Sequence, residues 1–176
     1  DPQGNASTAL NVDHRRGTPS TYDLLVDGAA LEDVITDCPE LPQLKVVPAT
    51  IDLAGAEIEL VSVVARESRL HKAIQAHPLV GTAEEAGEDR FDFVFVDCPP
   101  SLGLLTLNAL VAGEEMVIPI QAEYYALEGL GQLLETVEMV KAHLNQRLQV
   151  STILMTMYDA RTRLADNVAS EVREHF

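Results

Sequence analysis

The chain has no tryptophan, two cysteines and few basic residues: 12 lysines and arginines against 28 aspartates and glutamates. Two cysteines, Cys38 and Cys98, are too few for a disulfide framework or a cysteine-based zinc site, and they fit a reduced, cytoplasmic setting. The net charge of −16 argues against nucleic-acid binding by this chain alone, because DNA affinity comes largely from lysine and arginine. No stretch reaches the ~18 apolar residues of a membrane span, so no membrane partner is expected.

The remaining composition is that of a globular domain. Hydrophobic residues make up 47% of the 176 residues and charged residues 23%, which suffices for a sizeable core. No linker or internal repeat divides the sequence. We therefore predict one domain over residues 1–176, and the motifs below give it a more specific meaning.

Hydrophobic periodicity predicts strands that alternate with helices. That alternation is typical of a three-layer α/β fold, with a mostly parallel sheet and helices on both faces. Asp52 is the expected N-cap of a long helix that presents Leu53, Ala56, Leu60 and Val64 on one face. The predicted strands are 44–47, 93–97, 116–120 and 150–155, and the predicted helices are 20–26, 30–36, 52–74, 102–112, 127–144 and 164–176.

The segment from Phe91 to Ser101 is the most informative part of the chain. An apolar run, 93–96, ends in Asp97 and is followed at once by two prolines. Apolar runs bounded by turn residues are typical of buried parallel strands, with Cys98 as a small buried hydrophobe. Open α/β sheets bind ligands at the carboxyl ends of their strands. Asp97 is therefore either a metal- or phosphate-site residue or a cap for the next helix.

Five motifs together resemble the ParA/Soj chromosome-partitioning ATPases of the MinD/ParA superfamily. The first is Asp-Pro-Gln-Gly-Asn at residues 1–5. The second runs from Val-Asp-Cys-Pro-Pro-Ser through 96–110, and the third is Ile-Pro-Ile-Gln-Ala-Glu-Tyr-Tyr-Ala-Leu-Glu-Gly at 118–129. Segments 51–60 and 155–162 extend the match. The resemblance implies a P-loop NTPase-like fold that binds ATP or ADP and Mg²⁺.

The resemblance also implies roles for individual residues. Asp97 matches the family's metal-side aspartate, which acts on Mg²⁺ through a water. Asp1 matches the catalytic aspartate that orients the attacking water in the first switch loop. Pro99 begins a segment, 99–103, that resembles the second switch and contributes to cofactor binding.

Two further segments are candidates for nucleotide contact. The residues after the last strand, Met157, Tyr158 and Asp159, match positions at which family members contact the base. A turn with a tyrosine lid on the core is an open alternative. The Glu-Tyr-Tyr segment at 123–125 is expected to contact nucleotide or a dimer partner, or to have a structural role.

A phosphate-binding loop is not found in these residues. The pattern G-x-x-x-x-G-K-[ST] does not occur, and neither does the dipeptide Gly-Lys. In P-loop proteins the backbone amides and the lysine of this loop hold the phosphates. The resemblance implies such a loop upstream of Asp1 and a continuation beyond Phe176. We therefore expect a partial ATPase domain whose fold is incomplete at both ends.

Three functions follow as hypotheses. The resemblance implies a nucleoid-associated partitioning ATPase that forms a homodimer with ATP, binds DNA nonspecifically and is stimulated by a ParB-type protein. A MinD-like membrane-associated ATPase is the first alternative, although the segment 123–129 favours the partitioning branch. The second alternative is a non-enzymatic fragment that acts only through partner binding, suggested by the missing phosphate loop.

Overall fold

The computed structural model describes residues 1–87, 89–123 and 126–175. The chain divides into two compact units, Asp1–Ala112 and Gly113–Phe176. Within the described ranges, no helix combines the length and the apolar character needed to cross a membrane. Each unit has its own hydrophobic cluster and is described separately.

The first unit consists of short helices around one hydrophobic cluster. Its two short strands pair antiparallel, with Thr36 opposite Val46. A π-helical turn spans Asp23–Asp27, and a 3₁₀ turn spans Arg66–Ser68. The regular elements are α1 (Asn5–Ala9), α2 (Leu31–Val34), β1 (Thr36–Asp37), β2 (Lys45–Val46), α3 (Leu53–Leu60), α4 (Arg69–Ala76), α5 (Ala83–Ala86) and α6 (Leu104–Ala112).

The core of the first unit forms where α3 packs against its neighbours. Leu53, Ala56 and Leu60 are almost fully buried. Their spacing of three and four residues places them on one helical face, as the sequence predicts. They cluster with Leu24, Leu25, Val34 and Leu105. This cluster holds α3 beside α6, the helix that follows Asp97 along the chain.

The long helix predicted over 52–74 is wrong in two respects. It ends at Leu60, and the next α-helix begins only at Arg69; between them Ala65 has a left-handed φ of 54°, which cannot continue a right-handed helix. Val64, just before the break, is 87% exposed rather than on the buried face. Asp52 precedes α3 but makes no capping hydrogen bond. Its carboxylate instead accepts a hydrogen bond from Arg16 at 3.0 Å.

The buried strand predicted at 93–97 is also not formed. Among the described residues, 91–100 belong to no strand, and the side chains of Phe93 and Phe95 are 78% and 88% exposed. A strand requires a neighbour that satisfies its main-chain N–H and C=O groups, and no described strand pairs with this segment. Cys98 is exposed for the same reason, contrary to the prediction.

One buried polar side chain ties α6 to the segment before α4. Asn108 is fully buried. Its Nδ2 donates to the carbonyl oxygens of Arg66 at 2.8 Å and Leu104 at 2.9 Å. Its Oδ1 accepts a hydrogen bond from the main-chain nitrogen of Leu70 at 3.1 Å. The helix α6 follows the Asp97 segment directly. These hydrogen bonds therefore hold in place the helix into which that segment leads.

The second unit confirms the predicted parallel βα pattern. It contains β3 (Glu115–Gln121), α7 (Ala126–His143), β4 (Gln149–Thr156) and α8 (Arg163–His175). The two strands pair in parallel, with Ile118 opposite Ile153. The side chains of Ile118, Ile120, Leu130 and Val172 form its buried cluster. The unit therefore has the helix-covered parallel pairing expected of an α/β fold.

Candidate functional site

The structure brings together the two aspartates singled out in the sequence. The amino group of Asp1, the first residue of the sequence, donates a hydrogen bond of 2.8 Å to the carbonyl oxygen of Asp97. The two residues are 96 positions apart in the chain, so only the tertiary fold places them side by side. This contact lies wholly within the first unit.

The Asp1 loop is fixed by a tight turn. The Asp1 Oδ1 atom accepts a hydrogen bond of 3.0 Å from the nitrogen of Gln3, and the Gly4 nitrogen donates to the Asp1 carbonyl at 3.1 Å. Gly4 has a φ of 65°, and a Cβ there would lie 3.0 Å from both the Ala49 carbonyl and His14 Nδ1. Glycine is therefore needed at this position, where α1 begins.

The segment after Asp97 is held against the start of α6. The buried Thr106 hydroxyl donates to the Ser101 carbonyl at 2.6 Å, and the Pro99 carbonyl lies 3.4 Å away. The Asp97 side chain remains exposed. The segment thus presents a carboxylate to solvent while its main chain is tied at both ends.

The residues present fit a magnesium ion held mainly by water and phosphate. Mg²⁺ in phosphoryl-transfer sites usually takes one or two carboxylates and keeps several waters. Asp97 offers one exposed carboxylate, and its main-chain carbonyl contacts the amino group of Asp1. In the described part of the chain, no group of three or more His, Cys, Asp and Glu side chains forms a metal cage. A cation here would depend on a bound phosphate for further ligands.

The predicted base-contacting residues lie in the second unit, directly after β4. Met157 has a φ of 54° and is 81% exposed. Tyr158 donates a hydrogen bond to the Asp166 carboxylate, which raises the pKa of Tyr158. Hydrogen bonds from Arg161, one of them 2.8 Å long, lower the pKa of Asp159. These contacts are also compatible with the open alternative of a structural turn. Tyr124 and Tyr125, of the predicted Glu-Tyr-Tyr site, lie outside the described residues.

Sequence reasoning missed a cavity of about 320 Å³ beside α3. On its wall, the Tyr22 hydroxyl donates to the Glu59 carboxylate at 2.8 Å. The partners are 37 residues apart, and no local pattern in the sequence links them. The cavity is lined by Arg16, Tyr22, Ile51, Asp52, Gly55 and Glu59.

The Tyr22–Glu59 contact predicts an unusual titration. Chiefly because Tyr22 donates to Glu59, the pKa of Tyr22 rises to about 12: the proton stays on until high pH, since its loss would place two negative charges together. Absorbance titration of the phenolate should show a late-titrating tyrosine that disappears in Tyr22→Phe. Glu59→Gln should move the same step toward the ordinary value. Because the pKa of Tyr158 is also raised, the number of late-titrating phenolates is compared between the variants. An equal number in the wild type and in Tyr22→Phe would contradict the assignment.

The chain is similar to known proteins over its whole length. Residues 1–150 match a family model described as an AAA domain. The sporulation initiation inhibitor protein Soj of Bacillus subtilis is 49% identical over all 176 residues, which cover 65% of that protein. The chromosome partitioning protein ParA of Myxococcus xanthus is 46% identical, and the chain covers 58% of it. The chain thus spans about 58–65% of the length of these curated relatives.

Solved structures show the same fold. Cobyrinic acid a,c-diamide synthase from Mycobacterium smegmatis, with bound ADP and magnesium, superposes with a TM-score of 0.82 at 35% identity, over 100% of this chain and 67% of that one. A plasmid partition protein from Borrelia burgdorferi gives a TM-score of 0.79 over 98% and 69%. At 17% identity, the second likeness supports the fold alone.

The fold and the matched domain place the chain in the α/β fold class of the P-loop ATPases, as the sequence predicts. Within that class, the matches to Soj and ParA proteins over all 176 residues of this chain decide the family. The chain belongs to the ParA/Soj-type chromosome-partitioning ATPases.

Proposed function

We propose that the protein is an ATP-dependent partitioning ATPase for chromosomes or plasmids. The observation that carries the proposal is the contact between Asp1 and Asp97, which are joined at 2.8 Å through their main chains. Relatives named as chromosome-partitioning ATPases match the whole chain. A neighbour at 35% identity has been crystallised with ADP and magnesium.

Each site residue has a distinct role in this proposal. Asp97 faces Mg²⁺ through a water, and the bound ion supplies positive charge to the phosphates of ATP. Asp1 orients the attacking water, and its carboxylate is held in place by the turn at Gly4. Pro99 lies in the segment that responds to nucleotide in this proposal. Thr106 of α6 bonds to the main chain of that segment, so a change there reaches the helix. Met157, Tyr158 and Asp159 contribute to the nucleotide site near the base.

The partners follow from the family rather than from a surface of this chain. In the proposal, ATP locks a homodimer that binds DNA nonspecifically, and a ParB-type protein stimulates hydrolysis and releases it. The protein would then be cytoplasmic and associated with the nucleoid. The net charge of −16 argues against DNA binding by this chain alone, so in the proposal DNA binding is a property of the full-length dimer.

The magnesium dependence of ATP hydrolysis tests the proposed site. In the full-length protein, Asp97→Ala should raise the magnesium concentration needed for half-maximal hydrolysis by about 10–100-fold, the usual effect of losing an outer-sphere partner. The matched control is Asp92→Ala, which removes an exposed carboxylate from the other end of the same apolar run. Unchanged magnesium dependence in Asp97→Ala, or no hydrolysis by the wild type, would contradict the proposal.

A second candidate function is partner binding without catalysis. It is favoured by one observation, the lack of any Gly-Lys pair in the 176 residues. Titration of the protein with ATP separates the two candidates. Saturable ATP binding that requires Mg²⁺ would exclude partner binding without catalysis as the function, whereas no binding at millimolar ATP would favour it.

A further inference from the structure

Glu57 contacts the start of α6 from the neighbouring helix α3. This side chain is half-buried, and its Oε1 atom accepts a long hydrogen bond of 3.5 Å from the main-chain nitrogen of Leu105. A Cβ atom at Gly103 would lie 2.8 Å from Oε2 and 2.6 Å from Cδ, and it would overlap Oε1. The carboxylate of Glu57 therefore occupies the space that any side chain at Gly103 would need.

A carboxylate suits this position for a general reason. The first four N–H groups of a helix have no acceptor within the helix, and the helix dipole favours negative charge there. The helix α6 has 9 residues and begins at Leu104, immediately after the segment 97–103. An acidic side chain at this point fixes where the segment ends and the helix begins.

Hydrogen bonds also hold the segment 97–103 at its start and hold the helix that follows it. The Asp97 carbonyl is bonded to Asp1, and Asn108 ties α6 to the residues before α4. With these two anchors in place, Glu57 is the contact between α3 and the last residues of the segment. A movement of Gly103 would have to displace the Glu57 carboxylate.

We infer that Glu57 is a positioning residue for the segment 97–103, and through it for the aspartate that faces the metal. The catalytic consequence rests on the proposed ATPase function, whereas the positioning of the segment does not. In this role Glu57 acts through the start of α6, where it lies against Gly103 and accepts a hydrogen bond from Leu105.

A double-mutant cycle between Glu57 and Gly103 tests the contact. Gly103→Ala alone should lower the melting temperature by roughly 5 °C, because the new Cβ overlaps the carboxylate. In a Glu57→Ala background, the same change should lower it by less than half as much. Gly129→Ala serves as the control, since a Cβ there would meet no atom within 4 Å. Additive shifts in the double variant would overturn the contact.

Hydrogen exchange tests the positioning itself. In Glu57→Ala, the amides of residues 101–107 should exchange at least several-fold faster than in the wild type, because the start of α6 loses its acceptor. Glu57→Gln, which keeps an acceptor, should restore much of the protection. The control is Glu59→Ala, which removes a carboxylate from the same helix on the side facing Tyr22. Equal exchange in Glu57→Ala and Glu59→Ala would overturn the inference.

Steady-state kinetics of the full-length protein tests the catalytic consequence. Glu57→Ala should lower kcat by about tenfold and change KM for ATP less than twofold, as expected when a reacting group is misplaced but substrate contacts remain. An unchanged kcat would overturn this part. If the wild type did not hydrolyse ATP, the proposed function would fail, and the melting and exchange experiments would still decide the role of Glu57.

Discussion

Replacing Asp1 by alanine in the full-length protein is expected to lower kcat for ATP hydrolysis by about 10²–10⁴-fold, the usual contribution of a positioned acid–base group. ATP affinity should change little. The Asp1 carboxylate is fixed by the Gln3 nitrogen, and the main chain of Asp1 is bonded to Asp97. Removing the side chain deletes the group that orients water and leaves that main-chain contact in place. Single-turnover hydrolysis and equilibrium ATP binding would measure the two quantities separately.

The matched control for this change is Asp13→Ala. Asp13 is also an exposed aspartate of the first unit, and the neighbouring Arg15 lowers its pKa to about 2. Its removal should leave both kcat and ATP affinity within twofold of the wild type. A similar loss of kcat in both variants would indicate damage to the fold rather than a role for Asp1. A normal kcat in Asp1→Ala would exclude the assigned role.

Replacing Asn108 by alanine is expected to lower the free energy of unfolding by about 3 kcal/mol. The change removes the side-chain partner of three half-buried main-chain groups, at Arg66, Leu70 and Leu104. An unsatisfied buried polar group costs about 1–3 kcal/mol, and part of this is recovered by relaxation. Urea denaturation followed by circular dichroism would measure the loss.

Asn167→Ala provides the comparison for Asn108. This residue lies in α8 and is exposed, so the same substitution removes no buried partner. Its effect should stay within about 0.5 kcal/mol, as is typical of surface positions. Equal effects at both positions would show that the Asn108 network contributes little to stability.

Local patterns predicted much of the secondary structure. The helix predicted over 127–144 and the strands at 116–120 and 150–155 agree with α7, β3 and β4 within a few residues. Long periodic segments carry their own signal in the spacing of apolar residues. The strand predicted at 44–47 agrees with β2, whereas its partner β1 was missed, because a two-residue strand has no such pattern.

The errors arise where a tertiary partner decides the outcome. The apolar run before Asp97 has the composition of a buried strand, but no described strand pairs with it. The helix predicted over 52–74 is divided at a left-handed Ala65, and its second half, α4, bonds through Leu70 to Asn108 of α6, a long-range contact that local spacing does not encode. The sequence motifs singled out Asp1 and Asp97 for the candidate site but did not predict the contact between them, and the contact of Glu57 with Gly103 has no signature in one sequence.

The exposure of Phe93 and Phe95 has a consequence for handling the protein. Phe-Val-Phe-Val is a short, uncharged run of strand-forming residues without proline, a composition prone to cross-β stacking. Because no described strand pairs with it, this run is a template for the same segment of another molecule. The flanking carboxylates of Asp92 and Asp97 then act as gatekeepers against fibril formation. Substitutions that probe Asp97 should therefore be followed by light scattering, because they weaken this protection as well as the site.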